Sequence, residues 1–331
     1  MPEQSGLQAR TAEGGCPHIG TGSLLSCAVA DVECLAMTKV LISGASGLIG
    51  SAVVPALQAD GYEIRRLVRG QARSPEELQW EPMRDISPAL VSGFDAVIHL
   101  SGENVAGRWT AAKKRRIRES RVVSTRNLAW AIAKAEQPPR TFICASAIGY
   151  YGNRGDDILT EDSSPGAGFL PDVCREWEAA AHVGIAGVRL VNLRFGIVLS
   201  KHGGALKEML RPFRLGLGGK IGSGRQWWSW IHIQDVVSAA MHTMRAEGLR
   251  DAVNMVAPNP VTNAEFTREL ASAMKRPAIF AVPGFAAKLA FGEFAEEGIL
   301  ASARVVPKKL EENGFQFRYA ELRPAIEELL R

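Results

Sequence analysis

Long apolar segments and a strong excess of one charge are both missing from this sequence. No uninterrupted run of about 18 apolar residues occurs, which argues against a membrane-spanning helix. The nearest candidate, Ile279 to Phe291, contains Pro283 and Lys288. The net charge of +4 is too small to indicate a nucleic-acid partner. With 46% hydrophobic and 22% charged residues, the composition is ordinary for a soluble globular enzyme. We therefore expect a small-molecule substrate, no nucleic-acid or membrane partner, and a cytoplasmic location.

Cysteine is also scarce. The spacings of the first three cysteines do not match a zinc site, and we expect no metal. An odd number of cysteines in a chain of 331 residues indicates free thiols in a reducing compartment. The five are Cys16, Cys27, Cys34, Cys144 and Cys174.

Residues 1–36 are rich in Gly, Ser and Ala and show no clear hydrophobic periodicity. We expect either a disordered extension or a start upstream of the native one, since Met37 immediately precedes the first strand pattern. A secretory signal fits poorly, because the segment does not begin with basic residues and its apolar stretch, Leu24 to Ala30, is short and interrupted.

The segment KVLISGASGLIG at residues 39–50 combines a short apolar strand pattern, three glycines and the start of a helical pattern. This context is typical of a dinucleotide-binding turn, although the spacing is GxxGxxG and not the standard GxGxxG. The first glycine permits the tight turn, the second lets a pyrophosphate approach, and the third lets the helix pack close to the strand. The N–H groups at the start of the helix then face the pyrophosphate. The predicted cofactor-binding residues here are Gly44, Ser46, Gly47, Leu48, Ile49 and Gly50.

Helical and strand patterns alternate from residue 38 to about 256, which indicates an α/β fold with a parallel sheet covered by helices on both faces. Beyond residue 256 the pattern changes to helices with Pro and Gly breaks. Thr262 and Glu265 have the spacing of a capping box that opens a helix over Ala264–Met274. The strands predicted after the first are Tyr62–Val68, Ala96–Leu100, Thr141–Ala145 and Val188–Phe195, and the earlier helices are Leu48–Leu57, Thr110–Lys134 and Asp172–Val183.

The residue at the end of the second strand distinguishes NAD from NADP in dinucleotide enzymes. An acidic side chain there favours NAD, whereas an Arg can accept the 2′-phosphate of NADP. Here the strand ends in Val68-Arg69 with no Asp or Glu at its tip. Val68 and Arg69 are predicted to bind the cofactor. Arg69 is the predicted phosphate ligand, because Arg65 and Arg66 lie within the strand. The pattern predicts NADP(H). A second close-approach turn that contacts the cofactor is predicted after the next buried strand, at His99, Leu100, Ser101 and Gly102.

Further motifs are GENVAGRW (102–109), SRVVSTRNL (120–128), GYYG (149–152), WEAAA (177–181), LRFGIVLS (193–200), GLGGKIGSGRQWWSWIHIQD (216–235) and NGFQFRYAEL (313–322). Together they resemble the extended short-chain dehydrogenase/reductase superfamily, and more narrowly its atypical "epimerase family" of sugar-nucleotide epimerase-like proteins. The resemblance covers residues 38–331. It implies an NADP(H)-binding, Rossmann-type doubly wound domain over 38–256 and a small, mainly helical C-terminal substrate lobe over 257–331.

The resemblance also bears on Arg121. Extended relatives open the helix corresponding to SRVVSTRNL with an Asn that contacts the cofactor, and Arg121 stands at that position. A basic residue there is suited to the cofactor phosphates, and a solvated helix surface is the alternative.

Active superfamily members use a Ser or Thr with a Tyr and a Lys four residues apart, the Tyr phenol being the general acid/base. This sequence departs from that pattern: Ala147 stands at the Ser position, and the window Val173–Glu178 contains neither Tyr nor Lys. Glu178 lies four residues after Cys174 and could be a base, but we expect it to be a solvent-exposed helix residue. The candidate substitutes are Ser146, Tyr150, Tyr151 and Glu103 for catalysis, and Arg194 for an anionic substrate.

An insertion at about 200–230 is rich in glycine and carries Trp227, Trp228 and Trp230. Flexible glycines with aromatic anchors fit a loop that closes over the substrate, with Trp228 as a contact. A connection packed on the C-terminal lobe is the alternative. Asp235 is expected to cap the helix that follows.

Two functions fit these features. The first is an NADP(H)-dependent oxidoreductase or epimerase on a small or nucleotide-linked substrate, with the cofactor supplying the hydride chemistry. The second is a non-catalytic NADP(H)-dependent regulator with a protein partner, which the missing Tyr and Lys favour. Some relatives carry a cell-division-inhibitor label, so regulation of cell division is an analogy for this second function. A homodimer is compatible with both.

Overall fold

The computed structural model describes residues 39–331. The expectation for residues 1–36, with Cys16, Cys27 and Cys34, lies outside the described residues. The strands are β1 (Lys39–Ser43), β2 (Glu63–Val68), β3 (Glu77–Gln79), β4 (Ala96–His99), β5 (Thr141–Ala147), β6 (Ile158–Leu159), β7 (Arg189–Phe195), β8 (Ile197–Leu199), β9 (Trp227–Trp228), β10 (Trp230–His232), β11 (Asp251–Met255), β12 (Val261–Thr262) and β13 (Arg304–Val305). The helices are α1 (Gly50–Ala59), α2 (Ala111–Lys134), α3 (Phe169–Ala181), α4 (Gly204–Arg214), α5 (Ile233–Arg245), α6 (Asn263–Met274), α7 (Gly284–Phe291), α8 (Lys308–Glu312) and α9 (Leu322–Leu330).

Seven parallel strands form the main sheet, in the order β11-β7-β5-β4-β1-β2-β3. The chain runs outward from β1 through β2 to β3 on one side, and then from β4 through β5 and β7 to β11 on the other. The direction of winding therefore reverses between β1 and β4, where Val40 pairs with Ala96. Ligands of open α/β sheets bind at such a switch point, beyond the carboxyl ends of the strands. The predicted Rossmann-type doubly wound sheet is confirmed.

The central strands are buried because they consist of continuous apolar runs, as parallel strands covered on both faces do. Val40, Leu41 and Ile42 of β1 are fully buried, and every residue of β4 is buried. Helices α1 and α5 pack against each other, α2 packs against α3, and all four contribute side chains to the core of the sheet. None of the helices in residues 39–331 has the length and apolar character needed to span a bilayer.

A second apolar core lies in the C-terminal part of the chain, and residues 257–331 do not form it alone. Its buried side chains come from α6 and α9 and also from the segment between Leu199 and Trp230. Two short ladders also connect residues before and after 256, since β9 pairs with β12 and β6 pairs with β13. Leu310 and Phe315 belong instead to the core of the main sheet. The domain boundary at residue 256 stays a prediction, and side chains on both sides of it share each core.

The predicted capping box at the start of α6 is confirmed. Thr262 N donates to Glu265 Oε2 at 2.8 Å, and Glu265 N donates to Thr262 Oγ1 at 3.2 Å. Each side chain satisfies one N–H group that has no partner within the helix. The helix accordingly begins at Asn263, one residue before the predicted start.

The prediction that Asp235 caps α5 is wrong. The cap is His232, whose Nδ1 accepts a hydrogen bond from Gln234 N at 3.1 Å. Asp235 lies inside the first helical turn and is buried. Its carboxylate accepts hydrogen bonds from the N–H groups of Arg318 and Tyr319, each at 2.9 Å. Because the helix begins two residues before Asp235, this carboxylate does not cap it. The carboxylate instead binds the segment that precedes α9.

Candidate functional site

The glycine turn after β1 lies against the segment that follows β4. Gly44 has a φ of +75°, which a residue with a side chain rarely adopts. A Cβ on Gly44 would lie 2.7 Å from the carbonyl carbon of Leu100 and 2.8 Å from Ser101 N. The predicted tight turn is therefore present, and it brings the ends of two neighbouring strands into backbone contact.

The start of α1 packs on this turn more closely than any side chain allows. A Cβ on Gly50 would lie 2.3 Å from Gly44 O. Gly50 was expected to bring the helix close to the strand, but its nearest neighbours are backbone atoms of the turn. Among residues 39–331, the N–H groups of Leu48 and Ile49 have no hydrogen-bond acceptor, and the first turn of α1 has no acidic side chain. Such N–H groups at a helix start suit an anion.

Gly47 and Ser46 are exposed at the tip of the turn. A Cβ on Gly47 would meet only Gly44 O, at 3.2 Å, so its outer side is open. This arrangement leaves room for a ligand to approach the backbone, as predicted for Gly47. Cofactor contacts by these residues stay predictions.

Arg69 lies just beyond Val68 at the end of β2, with an exposed side chain. Arg65 donates hydrogen bonds to Glu63 and to the Pro75 carbonyl, and Arg66 pairs with Glu77 at 3.5 Å. Within the part of the chain that the structure describes, no carboxylate pairs with Arg69. Of the three arginines near this strand, Arg69 alone has a guanidinium that is not already bound to a carboxylate.

The side chain of His99 does not line this edge of the sheet, so only its backbone could contact a cofactor, and that contact stays a prediction. It is fully buried. Its Nδ1 lies 2.6 Å from Ser43 Oγ, and its Nε2 lies 3.3 Å from Ser124 Oγ. Burial lowers the pKa of His99 to about 4, so the imidazole is neutral at physiological pH. His99 therefore joins β1, β4 and α2 inside the protein, and the crevice is left to the backbone at Leu100, Ser101 and Gly102.

Arg121 on α2 lies directly beside Gly102. A Cβ on Gly102 would lie 3.2 Å from Arg121 Cζ, so glycine allows the two to approach. The guanidinium lies over the Trp177 ring, 5.1 Å from its centroid, and its Nη1 donates to the Ile117 carbonyl at 3.2 Å. Burial lowers the pKa of Arg121, and arginine stays charged in proteins. The guanidinium is thus packed against the protein at the edge of the crevice and is not simply solvated.

A buried network joins Ser146, Glu178 and Arg194 at the carboxyl ends of β5 and β7. Ser146 Oγ donates to Glu178 Oε1 at 2.6 Å. Arg194 donates to both carboxylate oxygens, from Nε at 2.7 Å and from Nη2 at 2.8 Å. The expectation that Glu178 is solvent-exposed is wrong, since its side chain is 13% exposed. The charge of Arg194 is neutralised inside the protein, a geometry that does not support its predicted role in holding an anionic substrate.

Tyr151 belongs to the same network, and its geometry does not favour the predicted catalytic role. The side chain is fully buried. Its hydroxyl donates to Asn254 Oδ1 at 2.7 Å and accepts from Arg194 Nη1 at 2.9 Å. Burial raises the pKa of Tyr151 to about 12, whereas an efficient general acid/base has a pKa near the working pH. Tyr151 therefore fastens β7 and β11 together.

Tyr150 differs from its neighbour because it is only half-buried. Its ring lies against the Arg194 guanidinium, with 3.5 Å between Cζ and the ring centroid. Within the described residues, its hydroxyl makes no hydrogen bond. Of the predicted catalytic residues, Tyr150 thus combines an uncommitted hydroxyl with a nearby cation.

The α3 side chains nearest Gly149, in the turn after β5, are Leu170 and Cys174. A Cβ on Gly149 would lie 3.4 Å from Leu170 Cβ and 3.7 Å from Cys174 Sγ. Burial and the charge of Glu178 raise the pKa of Cys174 to about 12, although Arg121 acts in the opposite direction. The residue is therefore a neutral thiol, and it lacks the lowered pKa of a reactive cysteine.

Glu103 forms an ion pair, which does not favour its predicted role as a base. Lys113 Nζ donates to Glu103 Oε1 at 2.7 Å, and Arg116 lies 3.7 Å from the same oxygen. The hydrogen bond from Lys113 lowers the pKa of Glu103, which weakens it as a proton acceptor. The carboxylate instead anchors the first turns of α2.

Trp228 packs in the second core, which does not favour its predicted contact with a substrate. The ring is buried against Phe266, with 5.3 Å between the centroids, and its Nε1 donates to the Ile299 carbonyl at 3.3 Å.

The predicted closing loop over residues 200–230 is partly helical, because it contains α4, which ends at Arg214. A cavity of about 330 Å³ lies nearby, between Lys220, α6 and residues 278–281, and none of the predicted site residues lines it.

Sequence reasoning missed two groups that shape this site. Asn254 accepts the Tyr151 hydroxyl from β11. Glu297 caps α3, since its carboxylate accepts the N–H groups of Phe169 at 3.0 Å and Leu170 at 2.7 Å. No local pattern could reveal either contact, because the partners are more than one hundred residues apart in the chain. The C-terminal part of the chain thus fixes the helix that carries Glu178.

Two family models match this chain. The one described as "NAD dependent epimerase/dehydratase family" covers residues 40–255. The other, "Domain of unknown function (DUF1731)", covers residues 282–329. Their limits correspond to the main sheet and to the region from α7 to α9.

Individual relatives agree with these matches. Epimerase family protein Mb2239 of Mycobacterium bovis is 42% identical over 295 residues, which span 88% of this chain and 97% of the relative. The crystal structure of human epimerase family protein SDR39U1 (isoform2) with NADPH has 33% identity and a TM-score of 0.81, covering 88% of this chain and 99% of that one. A nucleoside-diphosphate sugar epimerase from Corynebacterium glutamicum has 37% identity and a TM-score of 0.74, with coverages of 88% and 58%. This chain belongs to the NAD dependent epimerase/dehydratase family.

Proposed function

We propose that this chain binds NADP(H) at the carboxyl ends of β1, β2 and β4, and that it is an oxidoreductase or epimerase acting on a small-molecule substrate. The observation that carries the proposal is the turn from Gly44 to Gly50. Its backbone atoms leave no room for a Cβ at Gly50, and the N–H groups of Leu48 and Ile49 lack acceptors among the described residues. Both features suit a pyrophosphate. The NADPH in the human relative supports the same assignment.

The choice of NADP(H) over NAD(H) rests on Arg69. This guanidinium stands at the end of β2, beside the glycine turn, and no carboxylate of residues 39–331 pairs with it. A 2′-phosphate there gains a charge-assisted hydrogen bond that a plain ribose hydroxyl does not. Arg69 and the turn together would hold the adenosine half of the cofactor.

The protein must move a proton when a carbonyl is reduced or an alcohol oxidised. NADP(H), when bound, supplies or accepts the hydride. The hydroxyl protons of Ser146 and Tyr151 are committed to Glu178 and Asn254, so Tyr150 is the better candidate. Its ring lies against the Arg194 guanidinium, and within the described residues its hydroxyl makes no hydrogen bond. We assign to the Tyr150 hydroxyl the transfer of a proton to or from a substrate oxygen.

Stereospecifically deuterated NADPH tests this proposal with a panel of carbonyl compounds and sugar nucleotides. Tyr150→Phe should lower label transfer about 100-fold and leave NADPH affinity nearly unchanged. Tyr62→Phe, which lies next to the amino end of β2, is the matched control and should change neither quantity. Epimer interconversion needs its own assay, because an epimerase returns the hydride to the same substrate. If the protein binds NADPH but shows neither label transfer nor epimer interconversion, the result argues against catalysis.

A non-catalytic NADP(H)-dependent regulator, with cell division as one candidate process, is the second proposal. It is favoured by the α3 face at Gly149, where Leu170 and the neutral Cys174 have no acid/base chemistry to offer. Affinity capture with and without NADPH separates the two proposals. A set of partners that depends on NADPH supports regulation, whereas an identical set under both conditions contradicts it.

The region from residue 257 onward is proposed to hold the substrate, in a protein of the cytoplasm that has no nucleic-acid partner. A homodimer stays compatible with this assignment, and sedimentation of the purified protein measures it directly.

A further inference from the structure

The arginines near the carboxyl edge of the sheet differ in whether the protein neutralises them. Arg194 on β7 is bound by both oxygens of Glu178. Arg69 and Arg121 form no ion pair with any carboxylate in the part of the chain that the structure describes. The edge therefore has two guanidinium groups whose charge is not matched by a protein carboxylate.

These two groups lie on opposite sides of the glycine turn. Arg69 follows β2, which neighbours β1 on one side. Arg121 contacts Gly102, which follows β4, the neighbour of β1 on the other side. A dinucleotide with its 2′-phosphate at Arg69 and its pyrophosphate on the turn extends its nicotinamide half toward β4. Arg121 therefore lies at the reacting end of the crevice.

The surroundings of Arg121 hold its guanidinium in place and use only one of its N–H donors. Trp177 lies below it and Gly102 beside it, while the single hydrogen bond to the Ile117 carbonyl occupies one of its five N–H groups. Its other close neighbour, Cys174, is a neutral thiol and supplies no negative charge. Glu103 acts on Arg121 electrostatically, but that carboxylate is ion-paired with Lys113 and Arg116. A partly buried cation that no carboxylate of the described residues contacts directly is costly, and an anionic ligand lowers that cost.

We infer that Arg121 binds an anionic group, a carboxylate or a phosphate, of the substrate. This inference rests on the proposed function, because bound NADP(H) occupies the turn and leaves Arg121 facing the substrate side. A guanidinium binds either group through two parallel hydrogen bonds. The substrate class is thus an anionic small molecule, and Arg121 takes the role that the sequence suggested for Arg194.

Calorimetry in two stages tests this assignment. NADPH is first titrated into the unmutated protein, Arg121→Gln, Arg121→Lys and Arg69→Ala. Oxalate or inorganic phosphate is then titrated into each protein saturated with NADPH. The anion that binds more tightly shows whether Arg121 prefers a carboxylate or a phosphate. Arg121→Gln should weaken that probe at least about tenfold, and NADPH by less than about twofold. Arg121→Lys should lose less, because it keeps the charge. Arg69→Ala should show the reverse pattern, with weaker NADPH and an unchanged probe.

Two outcomes overturn the inference. One is a loss of NADPH affinity in Arg121→Gln as large as in Arg69→Ala, which would place Arg121 on the cofactor. The other is no measurable binding of either probe to the unmutated NADPH complex. If the unmutated protein does not bind NADPH, the proposed function fails instead, and probe titrations of the cofactor-free protein decide the role of Arg121 alone. Arg121→Gln and Arg121→Lys should have equal thermal-unfolding midpoints. Weaker probe binding by Arg121→Gln then reflects the lost contact and not unfolding of the variant.

Discussion

Glu178 and Arg194 form a bidentate ion pair that joins α3 to β7, with Nε–Oε1 at 2.7 Å and Nη2–Oε2 at 2.8 Å. The arginine side chain is 4% exposed and the glutamate 13%. Ser146 and Tyr151 hydrogen-bond to the same pair. The pair therefore fixes the carboxyl ends of β5 and β7, and it commits two hydroxyls that sequence reasoning had offered to catalysis.

Removing one member of this pair should destabilise the protein by about 3–5 kcal/mol, because the other charge stays buried without a partner. Urea unfolding at neutral pH measures the loss for Glu178→Met and Arg194→Met. The double variant should recover part of it, since neither charge then remains. The exposed pair of Asp172 with Arg175 is the control, and Asp172→Asn should change stability little. Single variants as stable as that control would contradict the prediction.

His99 should make the protein less stable as the pH falls from about 6.5 to about 4. Its imidazole is buried beside Ser43 and Ser124, and burial lowers its pKa from 6.5 to about 4. Between these values the unfolded chain binds a proton that the folded protein does not, so the free energy of unfolding decreases as the pH falls. At about 1.4 kcal/mol per pKa unit, the full effect is about 3 kcal/mol.

Urea unfolding of the unmutated protein and His99→Gln at several pH values between 7 and 4 measures this effect. The unmutated protein should be the more stable of the two at pH 7, and its advantage should shrink toward acid pH because glutamine does not titrate. A difference between the two proteins that stays constant with pH would show that His99 is not the group responsible.

Local signals were sufficient for the strand cores and for the capping box. The apolar run Val40 to Ile42 and the spacing of Thr262 and Glu265 each lie within a few residues, so the sequence contains the whole determinant. The glycine turn also has a local sequence signal. Its contact between Gly44 and Leu100, however, could be found only in the folded structure.

The candidate site could be predicted less well, because its contacts join distant segments. In the sequence, Glu178 has the features of a surface residue on α3, but in the fold it binds Arg194 of β7. Trp228 resembles an aromatic substrate contact until α6 places Phe266 against its ring. In both cases the residue type was noticed correctly, but its partner is set by tertiary packing, which hydrophobic periodicity does not encode.

Gly50→Ala should disrupt the proposed cofactor turn. Its Cβ would lie 2.3 Å from Gly44 O, a backbone atom that cannot move without displacing the turn. Overpacking of this kind costs the folded protein about 1–3 kcal/mol. A displaced turn also loses hydrogen bonds to the cofactor phosphates, each of about 1.5–3 kcal/mol, so NADPH affinity should fall about tenfold or more. Calorimetry measures the loss. Gly70→Ala is the matched control, because a Cβ there meets no atom within 4 Å, and it should bind NADPH normally. Unchanged affinity in Gly50→Ala would place the cofactor elsewhere.

Arg69 should determine the preference for NADP(H) over NAD(H). It stands unpaired at the end of β2 among the described residues, and a 2′-phosphate gains a charge-assisted hydrogen bond there. Such bonds contribute about 1.5–3 kcal/mol, so NADPH should bind about tenfold to a hundredfold more tightly than NADH. Arg69→Ala should remove most of this difference and leave NADH affinity nearly unchanged. Arg65→Ala is the control, because Arg65 already binds Glu63, and it should keep the preference. Equal affinities of the unmutated protein for both cofactors, measured by calorimetry, would contradict the assignment.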